Sequence, residues 1–311
     1  DKDVRELRMS DTRHFLTLLD FSPQELRQLL TRAAEMKRAH YAGGDQRDFP
    51  GVTLGMIFAK SSTRTRVSFE AGMTQLGGHA LFLSPDDTQL GRGEPVEDSA
   101  RVISAMVDIV MIRTYGHDIV ERFAAHSNVP VINGLTDRSH PCQLMADVLT
   151  YEEHKGDIAG STLAWVGDGN NVAVSLMEAA QQFGFHARIG TPPELRPDPE
   201  AVAYAGDSVS LTTNAEDAVR GADAVFADTW ISMGDEDAEN RHNMLAPFQV
   251  NDDLMAQADK EAIFMHCLPA HREEEVTSSV MDGAQSVVFD EAENRLHAQK
   301  AILAWCMGAF S

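Results

Sequence analysis

Residues 61–66 read Ser-Ser-Thr-Arg-Thr-Arg. They stand between an apolar run, Leu54, Gly55, Met56, Ile57 and Phe58, and a stretch with Phe69, Met73 and Leu76 on one helical face, closed by Gly77 and Gly78. A helix N-terminus offers backbone N–H groups with no partner inside the helix, together with the positive end of its dipole. Here hydroxyls from Ser62, Thr63 and Thr65 and guanidinium forks from Arg64 and Arg66 add donors suited to a dianionic phosphate. Arg64 is the leading candidate. A Ser/Thr-capped surface helix with exposed arginines is the plainer alternative.

Short apolar runs alternate with helix-length amphipathic segments along the whole chain, the pattern of parallel strands joined by crossover helices, so the expected fold class is α/β. Strands are expected at Leu54–Phe58, Ala80–Leu83, Ile109–Ile112 and Val129–Ile132, and again at Leu163–Val166, Ala224–Ala227, Ile263–Met265 and Val287–Phe289. The proline-rich segment Pro192–Pro199 reads as a surface loop. Open α/β sheets bind ligands beyond the carboxyl ends of their strands. There the first half presents Lys60, Ser62, Ser84, Arg113 and Asn133, and the second half Asp168, Asp228, His266, Cys267 and Asp290. A basic half and an acidic, thiol-bearing half suit two substrates, one anionic and one carrying an amine.

The chain has 311 residues, enough for two domains, with 26 Lys+Arg against 48 Asp+Glu and a formal net charge of −22. That balance argues against nucleic-acid and anionic-membrane partners, so a phosphate site must be a local positive patch in a negative field. No apolar run approaches the ~20 residues of a membrane span and no secretory pattern precedes the first polar residues, so a cytoplasmic location is expected. Three scattered cysteines, Cys142, Cys267 and Cys306, make neither a disulfide framework nor a thiolate zinc site. Trp165-Val166-Gly167-Asp168-Gly169-Asn170-Asn171 invites a dinucleotide reading but has Val172 where the third glycine of that fingerprint belongs.

The run Phe58 to Glu70, around Ser-Thr-Arg-Thr-Arg, resembles the carbamoyl-phosphate signature of the aspartate and ornithine carbamoyltransferase family. The resemblance implies that Ser62, Thr63, Arg64 and Thr65 hold the phosphate. His140-Pro141-Cys142-Gln143 is similar to a second signature of that family. Pro141 fits a first helical position, which puts His140 at a helix start where the dipole disfavours imidazolium. A lone histidine there is more often a cap or surface residue, but with Pro141 and Gln143 the resemblance assigns His140, Gln143 and Arg113 to the carbamoyl group and phosphate. Arg295, in Asp290 to His297, matches a further carbamoyl-phosphate contact.

Asp228-Thr229-Trp230-Ile231-Ser232-Met233-Gly234 resembles the loop by which the family's ornithine branch meets the amino acid's α-amino and carboxylate groups, which implies ornithine contacts from Asp228, Ser232 and Met233, with Asn171 beside them. Met265-His266-Cys267-Leu268-Pro269 agrees with that branch. A thiol suits an ammonium that must lose a proton before attacking a carbonyl, so Cys267 and Asp228 are candidates to bind and deprotonate it. A structural cysteine is the alternative reading, retained for Cys142 and Cys306. The resemblance also implies a cis Leu268–Pro269 bond turning the Cys267 and Leu268 carbonyls toward the carbamoyl nitrogen, and a loop around Gln89 that reaches a neighbouring subunit's site in a homotrimer.

Taken together, the resemblance implies two domains, each with a central parallel sheet flanked by helices. The first spans 1–148 and binds carbamoyl phosphate, the second spans 149–293 and binds ornithine, and a C-terminal helix from about 294 to 311 returns to the first domain. The implied reaction moves the carbamoyl group of carbamoyl phosphate to the δ-amine of L-ornithine, with Asp228, Cys267, His140 and Arg113 catalytic, in arginine biosynthesis and without metal or organic cofactor. An aspartate or acetylornithine acceptor, or a silent phosphate-sensing regulatory subunit, are the alternatives. The acidic segment Gly234 to Asp237 speaks against aspartate, which it would repel.

Overall fold

The computed structural model describes residues 12–84, 93–231 and 238–309. It divides into two compact units, one taking the chain up to Met145 together with everything from Arg295 onward, the other Ala146–Asn294. In the first unit β1 (Thr53–Phe58), β2 (His79–Leu83), β3 (Ile109–Arg113) and β4 (Val131–Leu135) form a parallel sheet in the order β2-β1-β3-β4. Helices α1 (Pro23–Tyr41), α2 (Thr63–Gln75), α3 (Val96–Ile103) and α4 (His117–His126) connect and cover it. α1 begins on a capping box in which the Ser22 hydroxyl takes the Glu25 N–H and Glu25 takes the Ser22 N–H. β3 and β4 are buried at every position because helices cover both faces of a parallel sheet. Ile57, Val110, Ile112, Phe123 and Val131 form one apolar layer there.

The second unit has five parallel strands in the order β7-β6-β5-β8-β9: β5 (Thr162–Val166), β6 (His186–Gly190), β7 (Val209–Thr212), β8 (Ala224–Ala227) and β9 (Ile263–His266). α5 (Pro141–Lys155) leads into it. α6 (Asn171–Phe183), α7 (Pro199–Ala205), α8 (Ala215–Val219), α9 (Ala238–Leu245), α10 (Asp252–Met255) and α11 (Ser278–Met281) follow, before α12 (Val288–Cys306) carries the chain back to the first. α6 is apolar nearly all round, buries Val172 through Ala180, and stops at Gly184, which takes the left-handed conformation (φ 75°) that favours glycine.

Three features differ from the sequence expectation. Val287–Phe289 is not a strand: Ser286 makes a single bridge to Phe264, and the chain then turns directly into α12, leaving Phe289 65% exposed. For the same reason the last helix starts at Val288 rather than about 294. β6 and β7 are strands the apolar pattern did not mark; they run to the edge of the sheet, where His186, Arg188, Ser210 and Thr212 dilute the signal.

In each sheet the strand order reverses once, between β1 and β3 and between β5 and β8, and the crevice at such a switch point is where α/β sheets bind ligands. α2 leaves from the first switch point and α6 from the second.

Lys300 on α12 is fully buried and donates to the side-chain oxygens of Gln46 and Gln75, tying the last helix to the end of α2. Burial pushes its ammonium down to about 8 from an ordinary 10.5. With the folded value below the unfolded one, the charge penalises folding fully below pH 8, and that penalty disappears as pH rises to 10.5. Denaturant midpoints of wild type and Lys300→Met should therefore diverge in favour of wild type across that window; a constant difference would show that Lys300 is solvated.

Candidate functional site

At the first switch point the sequence around Ser62 folds into an N-cap. The Ser62 hydroxyl accepts the Thr65 N–H at 3.3 Å, and the first intrahelical bond runs from Arg66 N–H to the Ser62 carbonyl, so the N–H groups of Thr63 and Arg64 precede the helical ladder. Arg64 is half-exposed on this first turn, while Thr65 is buried. The Thr65 hydroxyl oxygen receives three donors: Ser62 Oγ at 3.1 Å, Arg113 Nη1 at 3.4 Å from the end of β3, and Arg295 Nη2 at 3.3 Å from α12. Arg295 also donates to Gln143 Oε1 at 2.6 Å. Arg113, His140, Gln143 and Arg295 are all at least nine-tenths buried. Three donors thus converge on one oxygen with two lone pairs, two of them from guanidinium groups.

His140 directly precedes α5, and its carbonyl accepts the Gln143 N–H. Burial first, and then the Arg295 and Arg113 guanidiniums, hold its imidazole well below the ordinary range. The ring is therefore neutral at physiological pH, as the helix start suggested, but chiefly because it is buried between cations. The turn carrying it is braced from behind: Thr136 N–H bonds the Ser139 carbonyl, His117 Nδ1 meets the Thr136 hydroxyl at 2.9 Å, and Asn133 Nδ2 donates to Ser139 Oγ.

In the second unit the groups after β5, β8 and β9 converge on Asp228. Its Oδ1 accepts from the Thr229 N–H at 2.8 Å and from the Cys267 thiol at 3.2 Å, and its Oδ2 accepts from Asn170 Nδ2 at 2.7 Å. Burial, followed by the nearby Asp228, Glu291 and Asp147 carboxylates, raises the Cys267 thiol well above its usual range. Cys267 is thus a neutral donor and Asp228 the acceptor of the pair, a division of roles that residue types alone did not give. The Leu268–Pro269 bond is cis, as expected, and Leu268 sits at φ 60°. His266 positions this segment: its Nδ1 accepts the Leu268 N–H at 2.9 Å, so Nε2 carries the proton and meets the buried Glu275 Oε1 at 3.0 Å.

Asp228, His266 and Cys267 bring their ligating atoms within 4.8 Å of one another. Both ring nitrogens of His266 are engaged in hydrogen bonds, however, so the trio offers a cation no imidazole lone pair without rebuilding the loop.

Asn171 is the first residue of α6 and half-buried; the residue bonded to Asp228 is its neighbour Asn170, which the sequence reading passed over. An asparagine directly before an apolar helix is an N-cap signal and would have marked it. The His266–Glu275 pair had no local signature. Gln89, Ser232 and Met233 lie outside the described residues.

Two domain families match nearly end to end: the aspartate/ornithine carbamoyltransferase carbamoyl-P binding domain over residues 13–153, and the Asp/Orn binding domain of the same family over 159–306. The chain is 58% identical over 296 residues to the ornithine carbamoyltransferase of Acinetobacter baylyi, covering 95% of this chain and 97% of that protein. The solved ornithine carbamoyltransferase of Pyrococcus furiosus superposes with a TM-score of 0.93 at 48% identity, covering 96% and 98% of the two chains. The anabolic enzyme of Campylobacter jejuni superposes at 0.89 and 40% identity, over 96% and 100%.

The electrostatics of Asp228 and Cys267 can be tested by alkylation with iodoacetamide. At neutral pH, Cys267 should react far more slowly than a free thiol, because little thiolate is present, and Asp228→Asn should speed its labelling by removing the facing charge. Cys142, buried and pushed up to about 12, should stay unlabelled in both proteins. Fast labelling of wild-type Cys267, or a slower variant, would contradict this assignment.

Proposed function

We propose that this chain, which belongs to the aspartate/ornithine carbamoyltransferase family, transfers the carbamoyl group of carbamoyl phosphate to the δ-amine of L-ornithine, giving L-citrulline and phosphate. The observation that carries the reading is the convergence of donors at Thr65, where the start of α2, Arg113 and Arg295 meet. The names of the relatives and the convergence of thiol and amide on Asp228 support the choice of acceptor.

In this reading the N–H groups of Thr63 and Arg64, the hydroxyls of Ser62 and Thr65, and Arg64 take the phosphate oxygens, with Gln89 donating as well. Arg113 and the neutral His140 donate to the carbamoyl oxygen, Gln143 and the Leu268 carbonyl hold the carbamoyl nitrogen, and Arg295 braces Gln143. Asn171, Ser232 and Met233 take the α-amino and carboxylate groups of ornithine. The δ-ammonium gives one proton to the Asp228 carboxylate, with Cys267 as its thiol partner. The amine lone pair then forms the new C–N bond while the carbonyl becomes an oxyanion, which Arg113 and His140 stabilise. Collapse breaks the C–O bond, and phosphate departs with the second nitrogen proton.

Arg64→Ala should lower citrulline formation by more than ~100-fold in a folded protein, because charge-assisted bonds to a dianion are lost at the reacting end. A near-normal rate in that variant would remove the phosphate assignment. Assays with ornithine, acetylornithine and aspartate in parallel identify the acceptor, and turnover of aspartate alone would overturn the choice.

The family resemblance also supports a homotrimer in which Gln89 of one chain meets the phosphate held by Arg64 of the next. Mixing inactive Gln89→Ala and Arg64→Ala chains, with subunit exchange verified, should restore activity, since some shared sites then carry neither lesion. Activity no higher than in the parents would exclude sharing.

A further inference from the structure

We infer that Asn170 is the positioning residue of the acceptor half of the site: its amide fixes the plane of the Asp228 carboxylate against the N-terminus of α6. The inference rests on the reading of Asp228 as the group that receives the ornithine amine, and deepens it by naming what aims that carboxylate.

The amide is locked in one orientation. Asn170 Oδ1 accepts two backbone N–H groups of the first turn of α6, from Val172 at 2.9 Å and Ala173 at 3.1 Å, so its Nδ2 must face the other way, and there it meets Asp228 Oδ2 at 2.7 Å. Flipping the amide would set the NH2 group against two N–H donors and the carbonyl against a carboxylate, losing three hydrogen bonds at once. The two donors on Oδ1 of Asp228, Thr229 N–H and Cys267 Sγ, come from its own strand end and from β9. Oδ2 is held by Asn170, which comes from the neighbouring strand's loop. A carboxylate torsion is broad when unrestrained; donors on both oxygens, from three segments, confine it. The remaining lone pairs of Asp228 are then presented in a fixed direction, which is the geometric requirement for a proton acceptor.

A helix cap and a positioning residue predict different outcomes. Serine, aspartate and asparagine cap helices about equally well, so Asn170→Ser and Asn170→Asp keep the cap of α6 while removing the donor to Asp228. If Asn170 only caps, both variants should match wild type. If it aims Asp228, Asn170→Ser should lower kcat/KM for ornithine by ~10-fold or more, with melting temperature and the KM for carbamoyl phosphate unchanged. Asn170→Asp should be worse, since it sets one carboxylate against another. Wild-type kcat/KM for ornithine in Asn170→Ser, or a loss that merely tracks a fall in melting temperature, would overturn the inference. Asp228→Asn separates the two levels. If it disables ornithine turnover while Asn170→Ser does not, only the role of Asn170 fails; if it leaves turnover intact, the reading of Asp228 fails and this inference with it.

Discussion

The oxygen of one hydroxyl group, that of Thr65, gathers donors from partners 48 and 230 positions away in the chain as well as from the cap three residues before it. Guanidinium groups do not converge on a buried neutral oxygen unless the backbone forces them to. Here the force comes from the sheet: parallel pairing of β1 with β3 sets Phe58 opposite Arg113, so the end of β3 and the start of α2 emerge side by side. α12 supplies the third donor, and its own placement depends on the buried Lys300 and its two glutamine partners. Within the first unit, then, the core pairing and the terminal helix serve one electrostatic end, donors from separate elements gathered on one oxygen.

The two units solve opposite charge problems. Around His140 the facing groups are cations, which keep the imidazole neutral; around Cys267 they are carboxylates, which keep the thiol protonated. In both cases burial is the larger cause and the charges add to it. A chain with a net charge of −22 can build the second environment from its average composition, whereas the first needs arginines brought in from separate strands and helices.

What the sequence disclosed follows from this division. The central strands were legible because a strand buried on both faces is an unbroken apolar run, and the capped start of α2 was legible because Ser62 to Arg66 lies within one turn of backbone. β6 and β7 were not, since polar residues such as His186, Arg188, Ser210 and Thr212 interrupt their apolar runs, and Val287–Phe289 misled because three apolar residues carry no period with which to tell strand from helix. Asn171 drew attention that belonged equally to Asn170, whose contact with Asp228 depends on two strands being adjacent in the sheet. The pairing of His266 with Glu275 and the protonation of Cys267 are likewise properties of packing, invisible in residue types. The neutral state of His140 could be anticipated from its helix start, but not its main cause.

Arg295 and Lys300 lie on the last helix yet belong to the unit that the chain begins. During synthesis the ribosome therefore delivers all four strands of the first sheet, and then the whole of the second unit, before the residues that complete the first cluster of donors emerge. A nascent chain can pair β1 with β3 early, but its donor cluster at Thr65 stays incomplete until α12 has emerged. A chain that stopped between β9 and α12 would thus carry every strand yet lack Arg295, one of the three donors on the Thr65 oxygen, and Lys300 with its two glutamine bonds.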